Sequence, residues 1–154
     1  MRKVIFEQTG NIISVILLIA SSLEIISNFK KQDDNFQISF GMFTFVLIIW
    51  LLLFIFARII YSKFDKQYNV KKGEYSISDE REEIISYKAS VGAYKAIVFS
   101  LLIFFIWIVL TALFSNVLLF NNINAYAMSL LFFGSSIIIG FLTYLIVWIA
   151  LYLK

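Results

Sequence analysis

Hydrophobic residues fall in four long blocks, at about 4–28, 38–61, 93–118 and 125–152, separated by shorter polar stretches. The charge-free cores within them are long. No Asp, Glu, Lys or Arg occurs from Gln8 to Leu23, from Asn35 to Ala57, or from Ala96 to Leu153. A bilayer core about 30 Å thick is crossed by roughly 20 apolar residues in a helix, so each block is long enough to span. Backbone groups in lipid must be satisfied within the segment, which makes the spans helices. The blocks lack the two-residue alternation of barrel strands. Arg2 and Lys3 with Ala20-Ser21-Ser22 resemble a signal peptide. The apolar run continues through Leu23, Ile25 and Ile26, so the segment reads as a retained transmembrane helix. The expected fold is all-α, an integral membrane four-helix bundle.

Within the first block, steps of three and four residues pass through Glu7, Gly10, Ser14, Leu17, Ser21, Glu24, Asn28 and Lys31. All but Leu17 are small or polar, and this spacing puts them on one helix face. Membrane helices associate through small and polar residues, so the stripe reads as a packing face. The alternative is a pore or ligand lining, with Glu24, Ser21 and Ser14 as the intramembrane polar site. Glu24 is expected at the outer interface, near Lys30 or Lys31. Gly10, Ser136 and Gly140 are the expected close-packing positions. The second block offers little beyond Gly41 and Thr44, and is expected to be the most lipid-exposed. Trp50 and Trp107 fall mid-span as gap fillers, and Trp148 falls at an interface.

The longest polar segment, 62–92, lies between the second and third blocks. Tyr68, Val70, Tyr75 and Ile77 flank Lys71-Lys72-Gly73-Glu74, the pattern of a short hairpin. Asp79 then starts a helix: Glu82 follows three residues later, and acidic side chains suit a helix N-terminus. With no breaker before the third block, that helix runs on into the span. The extended Tyr75-x-Ile77, then Asp79-Glu80-Arg81-Glu82, then Lys88-Ala89-Ser90 before a span, resembles small uncharacterised prokaryotic membrane proteins with a D-E-R motif ahead of a hydrophobic helix. That resemblance implies a class without a mechanism. Asp79, Glu80, Arg81, Glu82 and Glu83 are the candidate docking patch for a partner.

Composition sharpens this picture. The 154 residues are 61% hydrophobic and 15% charged, with a mean hydropathy of +0.89. A soluble domain is about half apolar and a quarter charged. The chain has no Cys, His or Pro. Thiol and imidazole chemistry are therefore missing, no cofactor or metal is expected, and the helices should be fairly straight. The reading is not an enzyme. Arg58 to Lys95 holds eight basic and six acidic residues, too balanced for a nucleic-acid footprint. The expected partners are the lipid bilayer and another membrane protein or a second copy. An accessory, immunity or regulatory role is the leading expectation. The alternative is a subunit of an oligomeric channel or transporter.

Orientation follows from basic residues in short loops. Arg2, Lys3, Arg58, Lys63, Lys66, Lys71, Lys72, Arg81, Lys88, Lys95 and Lys154 fall on one side, and only Lys30 and Lys31 on the other. Both termini and segment 62–92 are expected in the cytoplasm of a plasma-membrane protein. In intact cells, cysteines introduced at Asn35 or Asn122 should react with an impermeant thiol reagent, and one at Gly73 should not. Labelling at Gly73 would reverse the topology.

Overall fold

The computed structural model describes residues 2–28, 30–32, 35–37, 40–66, 68–76, 79–113 and 125–154. Four helices dominate it: α1 (Arg2–Asn28), α2 (Met42–Phe64), α3 (Glu80–Leu113) and α4 (Ala125–Tyr152). All four are long and apolar enough to cross a membrane. α3 has 34 residues, or about 51 Å at 1.5 Å per residue. It runs unbroken through the charged start and the apolar block, as the missing breaker implies. Residues 114–118 of the expected third span, and the loop that follows it, lie outside the described residues.

The helices adjoin in the order α2–α1–α4–α3, each antiparallel to its neighbour. α1 and α4 are the inner pair, and α2 and α3 are the ends of an open row. The expected exposure of α2 is found, and α3 shares it. Phe54 is the buried residue of α2, while Leu52, Phe56, Phe105 and Trp107 face outward. These faces are apolar because the surrounding medium is expected to be lipid, where exposed hydrocarbon costs nothing.

Small residues set how closely the helices approach. Gly10 of α1 lies under the Phe54 ring, Gly134 of α4 takes Ile19 of α1, and Gly140 of α4 takes Ile97 of α3. Ser136 is fully buried, and its hydroxyl donates to the Phe132 carbonyl of its own helix. Further along the α3–α4 seam, Phe104 and Phe132 stack at 4.6 Å. The packing roles expected of Gly10, Ser136 and Gly140 are thus found, and Gly134 joins them.

The compact apolar core sits at the end of the row that carries both termini. Val4, Ile85, Ala89, Tyr144 and Trp148 form it. Trp148 corrects an expectation: it is 1% exposed and stacks on Tyr152 at 4.8 Å, so it is a core residue and not a headgroup-facing anchor. The indole is the largest side chain available to fill the space between α1, α3 and α4, and that packing outweighs interfacial preference.

The loops add one element and change one expectation. A two-stranded antiparallel ribbon joins α1 to α2, with β1 (Lys30–Gln32) paired to β2 (Asn35–Gln37). The hairpin expected around Lys71–Glu74 is replaced by turns and a 3-10 turn at Gly73–Tyr75. Side chains close this loop locally. The Asn69 N–H donates to Ser76 Oγ, Ser76 Oγ donates back to the Asn69 carbonyl, and Asn69 Oδ1 accepts from the Lys71 N–H. Asn and Ser offering such bonds compete with strand pairing.

A Cβ on Gly10 would lie 2.0 Å from the Phe54 ring, whereas one on Gly92 finds its nearest neighbour, Val147, at 3.5 Å. Gly10→Leu should therefore destabilise the detergent-solubilised protein by about 1–3 kcal/mol, read as a lower thermal midpoint. Gly92→Ala should leave that midpoint nearly unchanged.

Candidate functional site

The α1 stripe meets α2 from Glu7 to Glu24. Moving up α1, successive stripe residues meet residues progressively earlier in α2. Glu7 faces Arg58, Gly10 faces Phe54, Ser14 faces Trp50, Ser21 faces Thr44, and Glu24 faces the first turn of α2. The Trp50 indole N–H donates to Ser14 Oγ at 3.0 Å, and the Ser21 and Thr44 hydroxyls are 2.9 Å apart. Ser14 also donates to the Gly10 carbonyl. The packing-face reading of Ser14 and Ser21 is what the geometry supports. Trp50 both fills a gap, stacked on Phe54, and supplies a donor that composition alone did not suggest.

Glu24 caps a helix. Its two carboxylate oxygens accept the backbone N–H groups of Met42 and Phe43, each at 2.9 Å. The first N–H groups of a helix have no intrahelical acceptor, and the helix dipole favours an anion there. Gly41, the N-cap residue, has no side chain to do this itself. A Cβ on it would overlap the Glu24 carboxyl. Glu24 and Gly41 therefore work as a pair. The expected partners Lys30 and Lys31 have side chains outside the described residues.

The densest polar site lies at the end of the row that holds both termini. Glu7, 2% exposed, accepts from Arg58 Nε at 2.8 Å and from the Tyr68 hydroxyl. Arg58 Nε also lies 3.2 Å from the Tyr68 oxygen, and its NH2 group donates to the Val70 carbonyl at 2.9 Å. Gly73 presses its backbone against this pair at φ +54°. A Cβ there would sit 3.0 Å from the guanidinium, so the turn needs glycine both for conformation and for space. Next to it the half-buried Glu74 bonds to Gln8. Burial and the neighbouring Glu7 carboxylate push the Glu74 carboxyl up to about 7, against the opposing pull of Arg58 and of the hydrogen bond from Gln8.

Lys3 ties the same loop to α3. Its buried ammonium donates to Glu82 Oε2 at 2.8 Å and to the Ser76 carbonyl. Ser86 of α3 bonds the Tyr144 hydroxyl of α4 at 2.9 Å. The patch from Asp79 to Glu83 therefore divides. Glu82 turns inward to Lys3. Arg81 lies over the Tyr152 ring at 5.8 Å and donates to its carbonyl. Asp79, Glu80 and Glu83 face out. Of the five residues expected as a docking patch, Asp79, Glu80, Arg81 and Glu83 are exposed and Glu82 is half-buried. Among the described residues no group of three carboxylates converges as a metal site. Compared with known proteins, the chain matches no family model, no curated protein and no solved structure.

The sequence stripe pointed to Glu7 without its partners. Arg58 sits at the end of an uncharged run, the usual place for a basic membrane-edge residue, and nothing in the spacing tied it to Tyr68 or Glu74. Removing the cation strands a buried carboxylate. Arg58→Met should cost about 3 kcal/mol of stability, read by unfolding in detergent. Glu7→Gln combined with Arg58→Met should recover part of that loss, because the stranded charge is gone. Gly73 is a poor place for a reporter cysteine, and the neighbouring exposed Lys72 serves instead.

Proposed function

We propose that this chain is a multi-pass plasma-membrane protein, with both termini in the cytoplasm, that acts without catalysis by binding another membrane protein or a second copy of itself. The observation that carries this reading is the disposition of polar groups. Glu7, Ser14, Ser21 and Glu24, the side chains a pore lining would need, are spent on α2. They fix one helix to its neighbour rather than line a path. Outward features include the apolar faces of the end helices α2 and α3 and, outside them, the exposed carboxylates Asp79, Glu80 and Glu83 among exposed basic residues such as Lys72, Arg81 and Lys88. Such a surface suits a protein that works by association: apolar helix faces for contact in the membrane, and charge outside it for selectivity. An accessory, immunity or regulatory subunit is the class of role this implies.

Purification from native membrane in mild detergent, with identification of what co-purifies, tests the reading. Glu80→Lys with Glu83→Lys should weaken the recovered complex about tenfold, on the order of 1.4 kcal/mol, without loss of insertion. Ion or solute flux through the protein alone in liposomes, unaffected by the charge reversal, would establish the channel or transporter reading instead.

A further inference from the structure

Two observations converge on one pair of side chains, Gln8 of α1 and Glu74 of the loop between α2 and α3. Gln8 is 1% exposed, and its Oε1 is a buried acceptor without a hydrogen-bond partner. A buried polar atom left unpaired is costly and calls for an explanation. The side chain that Gln8 does bond is the Glu74 carboxyl, carried on the turn Gly73–Tyr75. A carboxylate only accepts hydrogen bonds, whereas a protonated carboxyl also donates one. A primary amide and a carboxylic acid satisfy each other fully: the amide N–H donates to the acid carbonyl, and the acid O–H donates to the amide oxygen.

We propose that Glu74 and Gln8 form a proton-binding site, in which protonated Glu74 donates to Gln8 Oε1 and clamps the turn Gly73–Tyr75 to α1, and from which proton loss releases that turn. The charged surroundings set the sign. From α1 the turn meets Glu7, and Lys3 through the Ser76 carbonyl. Arg58 of α2 and Tyr68 of the loop face it across Glu7. Glu82 of α3 holds Lys3, and Tyr144 of α4 lies against Tyr75. Arg58 is already engaged by Glu7 and the Val70 carbonyl. A second ionised carboxylate therefore has half a cation to share and a like charge beside it. The neutral acid has neither problem.

The linkage follows directly. The docked carboxyl is raised from its ordinary 4.5 to about 7, so the docked turn binds a proton that the free turn gives up. Docking is fully stable below pH 4.5, weakens across the window between 4.5 and 7, and has lost this contribution above it. A turn that lets go near neutral pH would change which residues of the loop between α2 and α3 face the cytoplasm. The inference concerns proton binding alone and does not require the partner reading.

The test uses the full chain in lipid nanodiscs. With no native cysteine, a spin label on Lys72→Cys reports the turn without background. Its mobility should rise with pH across the window between 4.5 and 7. Glu74→Gln, which keeps the shape and stays neutral, should hold the label immobile from pH 5 to 9. Infrared difference spectra of the unsubstituted chain should show a protonated-carboxyl band lost over the same pH range and missing in Glu74→Gln. If that variant does not insert, Glu74→Asp should insert and move the midpoint. Constant label mobility from pH 5 to 9 in the parent would overturn the proposal. So would an unchanged midpoint in either variant, or an infrared band that survives Glu74→Gln.

Discussion

A charged side chain on a helix that crosses a bilayer must have its counter-charge or hydrogen-bond partner within reach, because lipid supplies neither. The pairing of α1 with α2 is the solution to that requirement. Glu7 at one end is met by Arg58, and Glu24 at the other is met by the free N–H groups at the start of α2. With both ends pinned, the intervening register follows. Ser14 reaches Trp50 and Ser21 reaches Thr44 without adjustment. A slip of one turn along either helix would break all four contacts together and leave two carboxylates unsatisfied. Buried polar groups often contribute little net stability, and their best-attested use is to select one register over its neighbours. The seam has that form.

The end of the row that carries both termini builds on the same pair. Arg58 extends past Glu7 to the Val70 carbonyl and the Tyr68 oxygen, so the ion pair that positions α2 also positions the loop following it. Lys3, one helical turn before Glu7, continues the arrangement to Ser76 and Glu82, and so to α3. The first two turns of α1 thereby connect to every other helix: α2 through Arg58, α3 through Glu82, and α4 through the packing of Val4 against Trp148 and Tyr144. This explains why the compact core lies at this end. Apolar packing alone has little reason to gather there, since lipid solvates Leu and Phe as well as protein does.

Some of this was legible in the sequence, and the reasons differ by residue. The four helices followed from block length and the lack of charge, which depend only on local composition. The α1 stripe followed from spacing, and Gly10, Ser14 and Ser21 face protein as the pattern requires. The partner of that stripe was not legible. α2 was read as offering little beyond Gly41 and Thr44; Thr44 does meet Ser21, but other contacts come from groups that carry no polar signal in a span, an indole N–H on Trp50 and main-chain N–H groups at Met42 and Phe43. Backbone donors have no residue code, so Glu24 looked like a charge in search of a lysine. Trp148 failed for a related reason, since its position along the chain matches an interface while its neighbours in space make it a core residue. The Lys71–Glu74 hairpin failed because Asn69 and Ser76 close the loop through their side chains, a choice that strand propensity does not register.

The two faces of α1 divide the work of assembly between different kinds of chemistry. Toward α2 a series of contacts is polar and directional, with Gly10 giving space under Phe54 and Phe6 stacking on Tyr61. Toward α4 they are steric: Ile19 enters the gap over Gly134, and Val4 packs on Tyr144 and Trp148. The α4–α3 seam repeats the steric mode with Ile97 over Gly140 and Phe104 stacked on Phe132. Steric seams in lipid gain from dispersion and close approach, and tolerate small shifts better than a ladder of hydrogen bonds does. The α1–α2 pair therefore has the more directional of these seams along its length, while the directional contacts of α3 gather at its start, in Lys3 to Glu82 and Ser86 to Tyr144. The loop between α2 and α3 bridges the two parts, since Arg58 holds its first half to α2 while Lys3 joins its second half to α3. A loop in that position feels any relative movement of the pairs, and a change in how it is seated acts on both. That is why the seating of Glu74, at the middle of the loop and against the central ion pair, bears on the arrangement of the whole row.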